Sequence, residues 1–184
     1  MPDKRRVVYL FGTGASQAEI SRKNPDVRIL MGDIAEGIQK RIDKDNIELL
    51  EEVKNELAGK NVDVEHLITL YASSGTSNHI QIANELRRLF REEIQNRIGM
   101  LGSTFSPRLI TALIDMYNIP ELDEDLVGIL TLNYDDLTDR ACQMVYGGVN
   151  YLIEIESGDS RLDTNSKATP LIKLHGSFNW KNEF

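Results

Sequence analysis

Residues 7–16, VVYLFGTGAS, decide the fold of this 184-residue chain. An unbroken run of β-branched, aromatic and aliphatic residues that ends at a glycine is typical of a fully buried strand in a parallel sheet. Gly12 and Gly14 then predict a tight loop over residues 12–16, and the residues that follow predict a helix that stops at Asn24 and Pro25. A strand, a glycine-rich loop and a helix in succession are the opening of an α/β fold.

Two later segments repeat the pattern of an apolar strand with a polar end. Residues 126–132 predict a second strand, which runs into NYD at residues 133–135. Residues 171–174 predict a third strand, which runs into HGS at residues 175–177. Apolar strands separated by helices indicate a parallel sheet rather than hairpins.

Between the first two strands, apolar residues recur at helical spacing, which predicts a helical insertion over about residues 33–118. Its longest helix is predicted over residues 79–98, where Leu86, Leu89 and Phe90 share a face that we expect to belong to the core. The predicted fold is therefore α/β, a Rossmann-like parallel sheet with helices on both faces and a helical insertion after the first strand.

The charge balance and the cysteine count narrow the function classes. With 21 basic and 29 acidic side chains the net charge is −8, so no basic face for duplex DNA or for an anionic membrane is expected. No apolar segment approaches the roughly 20 residues of a membrane span, and the run after Arg6 breaks at Gly12, too early for a signal peptide. Cys142 stands alone and is expected to be a buried apolar filler. We expect a cytoplasmic protein without a metal.

Polar residues at the three strand ends are expected to converge, because ligands of parallel α/β sheets bind at the carboxyl ends of the strands. Residues 12–16 suit a phosphate or pyrophosphate, although the same glycines also fit a turn without a ligand. Asn133 and Asp135 can orient a ribose hydroxyl, a carboxamide or a water molecule, or they can simply cap the next helix. His175 follows a strand and suits a general base near neutral pH.

Taken together, GTGAS at residues 12–16, TLNYD at 131–135 and KLHGS at 173–177 resemble the motifs of the sirtuin-like family of NAD-consuming enzymes. Protein-deacetylating sirtuins carry a four-cysteine zinc module, which a lone Cys142 cannot build. They also carry a PDFR-like segment, which residues 21–26 do not match. The TLNYD and KLHGS forms look instead like prokaryotic sirtuin-like domains that hydrolyse NAD in anti-phage defence, where loss of NAD aborts the infection.

The resemblance implies an NAD hydrolase that takes NAD as its substrate and releases nicotinamide and ADP-ribose. It implies that residues 12–16 hold the pyrophosphate and the adjoining ribose, that Asn133 positions the nicotinamide ribose and the attacking water, and that Asp135 holds the carboxamide. His175 would act as the general base, so that Asn133 and His175 are the catalytic pair. The residues implied in NAD binding come from all three motifs: Gly12, Thr13, Gly14, Ala15, Ser16, Asn133, Asp135, Gly176 and Ser177.

Domains of this kind usually form the N-terminal part of a longer chain or complex. A complete nucleotide-binding sheet is expected to supply a further loop for the adenine-side ribose beyond Phe184. We therefore expect residues 1–184 to form one NAD-binding domain that is truncated at its C-terminal end. The implied partner is a C-terminal domain or a separate protein of a defence system, and a homo-oligomer is a further option.

Three alternative functions stay open. A non-catalytic nucleotide-sensing or oligomerising module would need the same glycines. A dehydrogenase would use residues 27–31 as a second strand and Asp33 as its ribose acid, but Gln17 replaces the last glycine of the dinucleotide fingerprint. An NAD-dependent protein deacylase is disfavoured by the missing cysteines.

Overall fold

A computed structural model describes residues 4–59, 62–152 and 167–175 of the chain. The chain divides into two units. The sheet unit consists of Met1–Pro25 and Leu101–Phe184, and the helical unit is Asp26–Met100. Gly176 and Ser177 lie outside the described residues, so the predictions for these two residues are not addressed by the structure.

The sheet unit contains both strands and helices, whereas the described elements of the helical unit are all helical. In chain order they are β1 (Arg5–Phe11), α1 (Thr13–Lys23), α2 (Met31–Asp45), a 3-10 turn (Glu48–Leu50), α3 (Glu51–Leu57), α4 (Val64–Ser73), α5 (Ser77–Gly99), α6 (Arg108–Asp115), a second 3-10 turn (Met116–Asn118), β2 (Glu124–Thr131), α7 (Leu137–Tyr146) and β3 (Leu171–Lys173).

The strands form a parallel sheet in the order β1-β2-β3. Parallel neighbours need crossover connections, and here the chain between β1 and β2 contains α1 to α6, while α7 lies between β2 and β3. The α/β class and the Rossmann-like parallel sheet predicted from the sequence are confirmed, as is the long helical segment after the first strand.

The prediction that β1 is buried on both faces is wrong. Val8 and Leu10 are 52% and 61% exposed, whereas Phe11 is buried. Successive residues of a strand point to opposite faces, so this alternation leaves one face of β1 open. Leu10 and Ile172 both align with Leu130 of β2, and Ile172 is also exposed.

The predicted loop over residues 12–16 is also shorter than expected, because α1 begins at Thr13. Gly12 has an extended backbone, with φ −112° and ψ −179°, and is the residue that precedes the helix. Thr13, Gly14, Ala15 and Ser16 therefore form the first turn of α1 rather than a loop. Because Gly12 has no side chain, the residue that precedes the helix makes no side-chain capping hydrogen bond to this turn.

The helical unit confirms the predicted core face of α5, since Leu86, Leu89 and Phe90 are all buried. It spans Asp26–Met100, so the boundaries differ from the predicted 33–118: α6 falls in the sheet unit, where it packs against α1 and α7. None of the helices in the described residues combines the length with the apolar character that a membrane crossing demands.

Residues 27–30 form no strand, so the second strand of the dehydrogenase alternative is wrong. Arg28 and the start of α2 are held instead by Arg97, which donates hydrogen bonds to the backbone carbonyl oxygens of Arg28 and Asp33. Val27 and Ile29 are buried apolar residues of this irregular segment. Their alternation with exposed residues resembles a strand in sequence, but no strand of the described residues pairs with this segment.

Candidate functional site

The three strands end at the same level of the sheet, and a polar segment follows each of them. The register pairs Phe11 with Thr131 and Thr131 with Lys173, which are the last residues of β1, β2 and β3. One residue further on, the Leu132 N–H donates to the Phe11 carbonyl at 3.0 Å and the Leu174 N–H donates to the Thr131 carbonyl at 3.0 Å. The sheet thus brings the three sequence motifs to the same edge, as predicted.

The first turn of α1 faces open space at its two glycines. Among the residues that the structure describes, a methyl group added at Gly12 or Gly14 would meet no heavy atom within 4 Å outside its own stretch of chain. Neither glycine has a positive φ, so the backbone conformation does not require glycine at these positions. The first N–H groups of a helix lack intrahelical partners and carry its positive dipole end, so this turn has the character of an anion site.

Asn133 connects the end of β2 to this turn. Its side chain is buried, with 5% of the residue exposed, and Nδ2 donates to the Gly12 carbonyl at 3.0 Å and to Ser16 Oγ at 2.8 Å. The backbone N–H of Asn133 donates to Thr131 Oγ1 at 3.1 Å. The amide oxygen Oδ1 is buried without a hydrogen-bond partner among the described residues. A buried acceptor in this state is costly unless a ligand or water serves it.

Asp135 is buried at the start of α7, and its contacts combine the two roles considered from the sequence. Oδ1 accepts the Leu137 N–H at 3.0 Å, which is a helix-capping contact. Burial raises the pKa of the Asp135 carboxyl, while the charge of Lys173 and hydrogen bonds from Ser16 and Leu137 act in the opposite direction. Ser16 therefore contacts both Asn133 and Asp135, and the predicted role of Asp135 toward a carboxamide stays a prediction.

A buried ion pair next to Asp135 was missed by the sequence analysis. Lys173 Nζ donates to the backbone carbonyl of Asp135 at 2.6 Å and to Asp139 Oδ2 at 2.7 Å, and both charged side chains are fully buried. The Tyr151 hydroxyl donates to the other oxygen of Asp139. The signal was available in the sequence, because a lysine in the apolar strand LIKL must have a buried partner if the strand is buried.

His175 is exposed two residues beyond the end of β3, and its ring lies against the ring of Tyr134 with the centroids 5.7 Å apart. The structure thus brings the third motif next to the second through Tyr134. His66 and His79 belong to the helical unit. Burial raises the pKa of the Cys142 thiol to about 12, which agrees with its predicted role as an apolar filler and argues against a nucleophile.

No three His, Cys, Asp or Glu side chains within the described ranges are grouped so as to hold a metal ion. Neither a scan against protein-family models nor a search of curated proteins gives a match to this chain. The resemblance of the three motifs to sirtuin-like domains therefore stays a prediction.

Proposed function

We propose that this chain is an NAD hydrolase that cleaves NAD to nicotinamide and ADP-ribose. The observation that carries the proposal is the contact of the Asn133 amide with Gly12 and Ser16. It sets a buried amide at the start of α1, and the oxygen of this amide has no hydrogen-bond partner among the described residues. An anion-binding helix terminus beside a polar group for sugar or water is what a dinucleotide substrate requires.

The pyrophosphate of NAD would lie against the first turn of α1. The space beside Gly12 and Gly14 lets the ligand approach the backbone more closely than any residue with a Cβ would allow. The peptide dipoles of α1 favour a negative charge there. Ser16 is already engaged with Asn133, so it supports the site from behind rather than reaching outward.

The reaction breaks the bond between C1′ of the ribose and the nicotinamide nitrogen. The bonding electrons go to nicotinamide, which leaves as a neutral group, and the ribose becomes oxocarbenium-like. Water adds to C1′ and loses a proton, for which His175 is the proposed base and Asn133 Oδ1 the proposed acceptor that orients the water. A preorganised polar site stabilises such a charge distribution.

The same motifs support a wider proposal, namely that the protein acts in prokaryotic anti-phage defence in the cytoplasm by depleting NAD. In that setting a further domain or partner protein would control the activity, and self-association is an option for that control. The proposed hydrolysis uses this chain's side chains and water, without a metal.

The test compares NAD binding with NAD turnover in His175→Ala, with His66→Ala as the matched control. His66 is exposed on α4 in the helical unit. We expect His175→Ala to lose nicotinamide release by about 100-fold or more, as removal of a general base does, while NAD affinity changes little. His66→Ala should leave both unchanged.

The same experiment separates the enzyme from the second candidate, a nucleotide-sensing module. Such a module needs Gly12, Gly14 and Asn133 but no base. NAD binding without nicotinamide release by the wild-type protein would favour the sensing module. Turnover that survives His175→Ala would contradict the assigned base.

A further inference from the structure

A cavity of about 320 Å³ lies in the sheet unit near the C-terminal end of α1. It is lined by residues of α1 and by the segment that leads into α6, among them Glu19, Arg22, Lys23, Phe105 and Arg108. At 1.5 Å per residue, Thr13 and Lys23 at the two ends of α1 are roughly 15 Å apart. No residue that lines the cavity belongs to the proposed NAD site, so the two are separate.

The cavity concentrates positive charge in a chain whose net charge is −8. Three cations line it, against the single carboxylate of Glu19. Arg22 pairs with Glu19 Oε2 at 3.5 Å. Lys23 and Arg108 make no ion pair within the described part of the chain. Two cations without counter-charges at one cavity favour an anionic ligand.

Arg108 occupies an unfavourable place for a cation unless an anion is bound. It is the first residue of α6, at the positive end of the helix dipole, where negative charge is preferred. Lys23, by contrast, is in the last turn of α1, where the helix dipole alone accounts for it. The helix dipole therefore accounts for the position of Lys23 but not for that of Arg108.

Glu19 adds a hydrogen-bonding requirement to the charge. It is 1% exposed, and Oε1 accepts the Ile110 N–H of α6 at 2.6 Å. Oε2 is buried without a hydrogen-bond donor among the described residues, apart from the charge of Arg22 at 3.5 Å. A ligand hydroxyl would satisfy this oxygen once the contacts that shield it from solvent open, whereas a bare anion would be repelled by it.

We propose that this cavity binds a phosphate monoester whose organic part carries a hydroxyl group. Arg108 and Lys23 hold the phosphate, and Glu19 Oε2 accepts a hydrogen bond from the hydroxyl. The volume suits a ligand of sugar-phosphate size. The proposal does not depend on NAD hydrolysis, because it uses none of the residues of the proposed NAD site.

The test is calorimetric titration with ribose 5-phosphate, inorganic phosphate and ribose. We expect ribose 5-phosphate to bind more tightly than either fragment, and Arg108→Gln and Lys23→Gln each to weaken it by about tenfold, since charge-assisted hydrogen bonds are lost. Arg6→Gln is the matched control, because Arg6 is an exposed cation of β1 that does not line the cavity.

Thermal unfolding of each variant shows that the exposed substitutions leave the fold intact. Equal affinity of wild type and Arg108→Gln would overturn the proposal, as would equal weakening by Arg6→Gln, which would indicate a nonspecific charge effect. Amide shifts caused by ribose 5-phosphate at residues 12–16 alone would also overturn it, because the ligand would then occupy the other end of α1.

Discussion

The side-chain nitrogen of Asn133 donates to Ser16 Oγ at 2.8 Å. This hydrogen bond joins the segment that follows β2 to the first turn of α1. The same nitrogen donates to the Gly12 carbonyl at 3.0 Å. Two segments that are more than a hundred residues apart in sequence thus form one hydrogen-bonded unit. This junction holds the amide of Asn133 in one orientation, with Nδ2 toward α1 and Oδ1 left for another donor.

Asn133→Ala is expected to destabilise the protein as well as its site. The substitution removes the amide donor from the buried Ser16 hydroxyl and from the half-buried Gly12 carbonyl, which keeps only the Ala15 N–H. The loss of these buried hydrogen bonds costs about 1–3 kcal/mol in the free energy of unfolding. Asn118→Ala, which loses an exposed hydrogen bond to Asp115, should cost about 0.5 kcal/mol or less. Urea unfolding of both variants measures the difference. Equal losses would mean that the Asn133 contacts carry little stability.

Gly14→Ala separates folding from ligand binding. Alanine is the better helix former by roughly 0.5–1 kcal/mol, and the added methyl group meets open space, so the variant should be more stable than wild type. It should nevertheless bind NAD at least several-fold more weakly, because the methyl group fills the space proposed for the pyrophosphate. Gly99→Ala is the control, since Gly99 is a helical glycine of α5 that also has open space. NAD affinity unchanged by Gly14→Ala would contradict the proposed pyrophosphate position.

Lys173→Met tests the buried ion pair. Its loss leaves the fully buried Asp139 without its cation, and removal of one partner of a buried pair costs about 3–5 kcal/mol. The solvent-screened pair of Lys54 with Asp43 gives the control, because Lys54→Met should lower the stability much less than Lys173→Met does. Chemical denaturation compares the two. We expect Asp139→Asn to recover part of the loss when it is combined with Lys173→Met, and the account of the ion pair fails if the two lysine variants are equally stable.

The raised pKa of Asp135 gives the stability a predictable pH dependence. Native Asp135 keeps its proton to higher pH than the unfolded chain does, whose carboxyl titrates near 3.8. Its contribution to stability is therefore present below that value and is lost as the pH rises through the folded-state pKa. Urea unfolding at a series of pH values measures this effect: as the pH rises, the wild-type protein should lose stability relative to Asp135→Asn.

Glu85→Gln supplies the opposite case for the same unfolding measurement. The hydrogen bond from Arg88 lowers the pKa of Glu85, so its contribution is present above the ordinary carboxyl value and is lost as the pH falls through the folded-state pKa. The wild-type protein should thus lose stability relative to Glu85→Gln on acidification. Differences of the same sign for both variants would show that the Asp135 assignment is wrong.

The sequence predicted the strands and the edge at which they meet because apolar runs and glycines report local structure directly. It also predicted that Asn133 and residues 12–16 come together, since parallel strands end at a common edge. It did not predict the helical start at Thr13, because glycines favour turns on average and the first turn of a helix tolerates them. The sequence also did not predict that one face of β1 is exposed, since Val8 and Leu10 are apolar whether or not anything covers them.

The buried partners of the site depend on tertiary contacts that local patterns do not encode. Lys173 and Asp139 are 34 residues apart, and only the folded chain pairs them. Glu19 reaches Ile110 in the same way, across 91 residues. A charged residue in an apolar segment signals that a partner exists, but the sequence does not say which residue it is.

The most direct test of the central claim is the release of nicotinamide from NAD, followed by chromatography, for wild type, Asn133→Ala and Asn118→Ala. Circular dichroism at the assay temperature confirms that each variant is folded. The account predicts equimolar nicotinamide and ADP-ribose from wild type and Asn118→Ala, and a rate at least about 100-fold lower from Asn133→Ala. Release that is unaffected by Asn133→Ala, or no release by the wild-type protein, would contradict it.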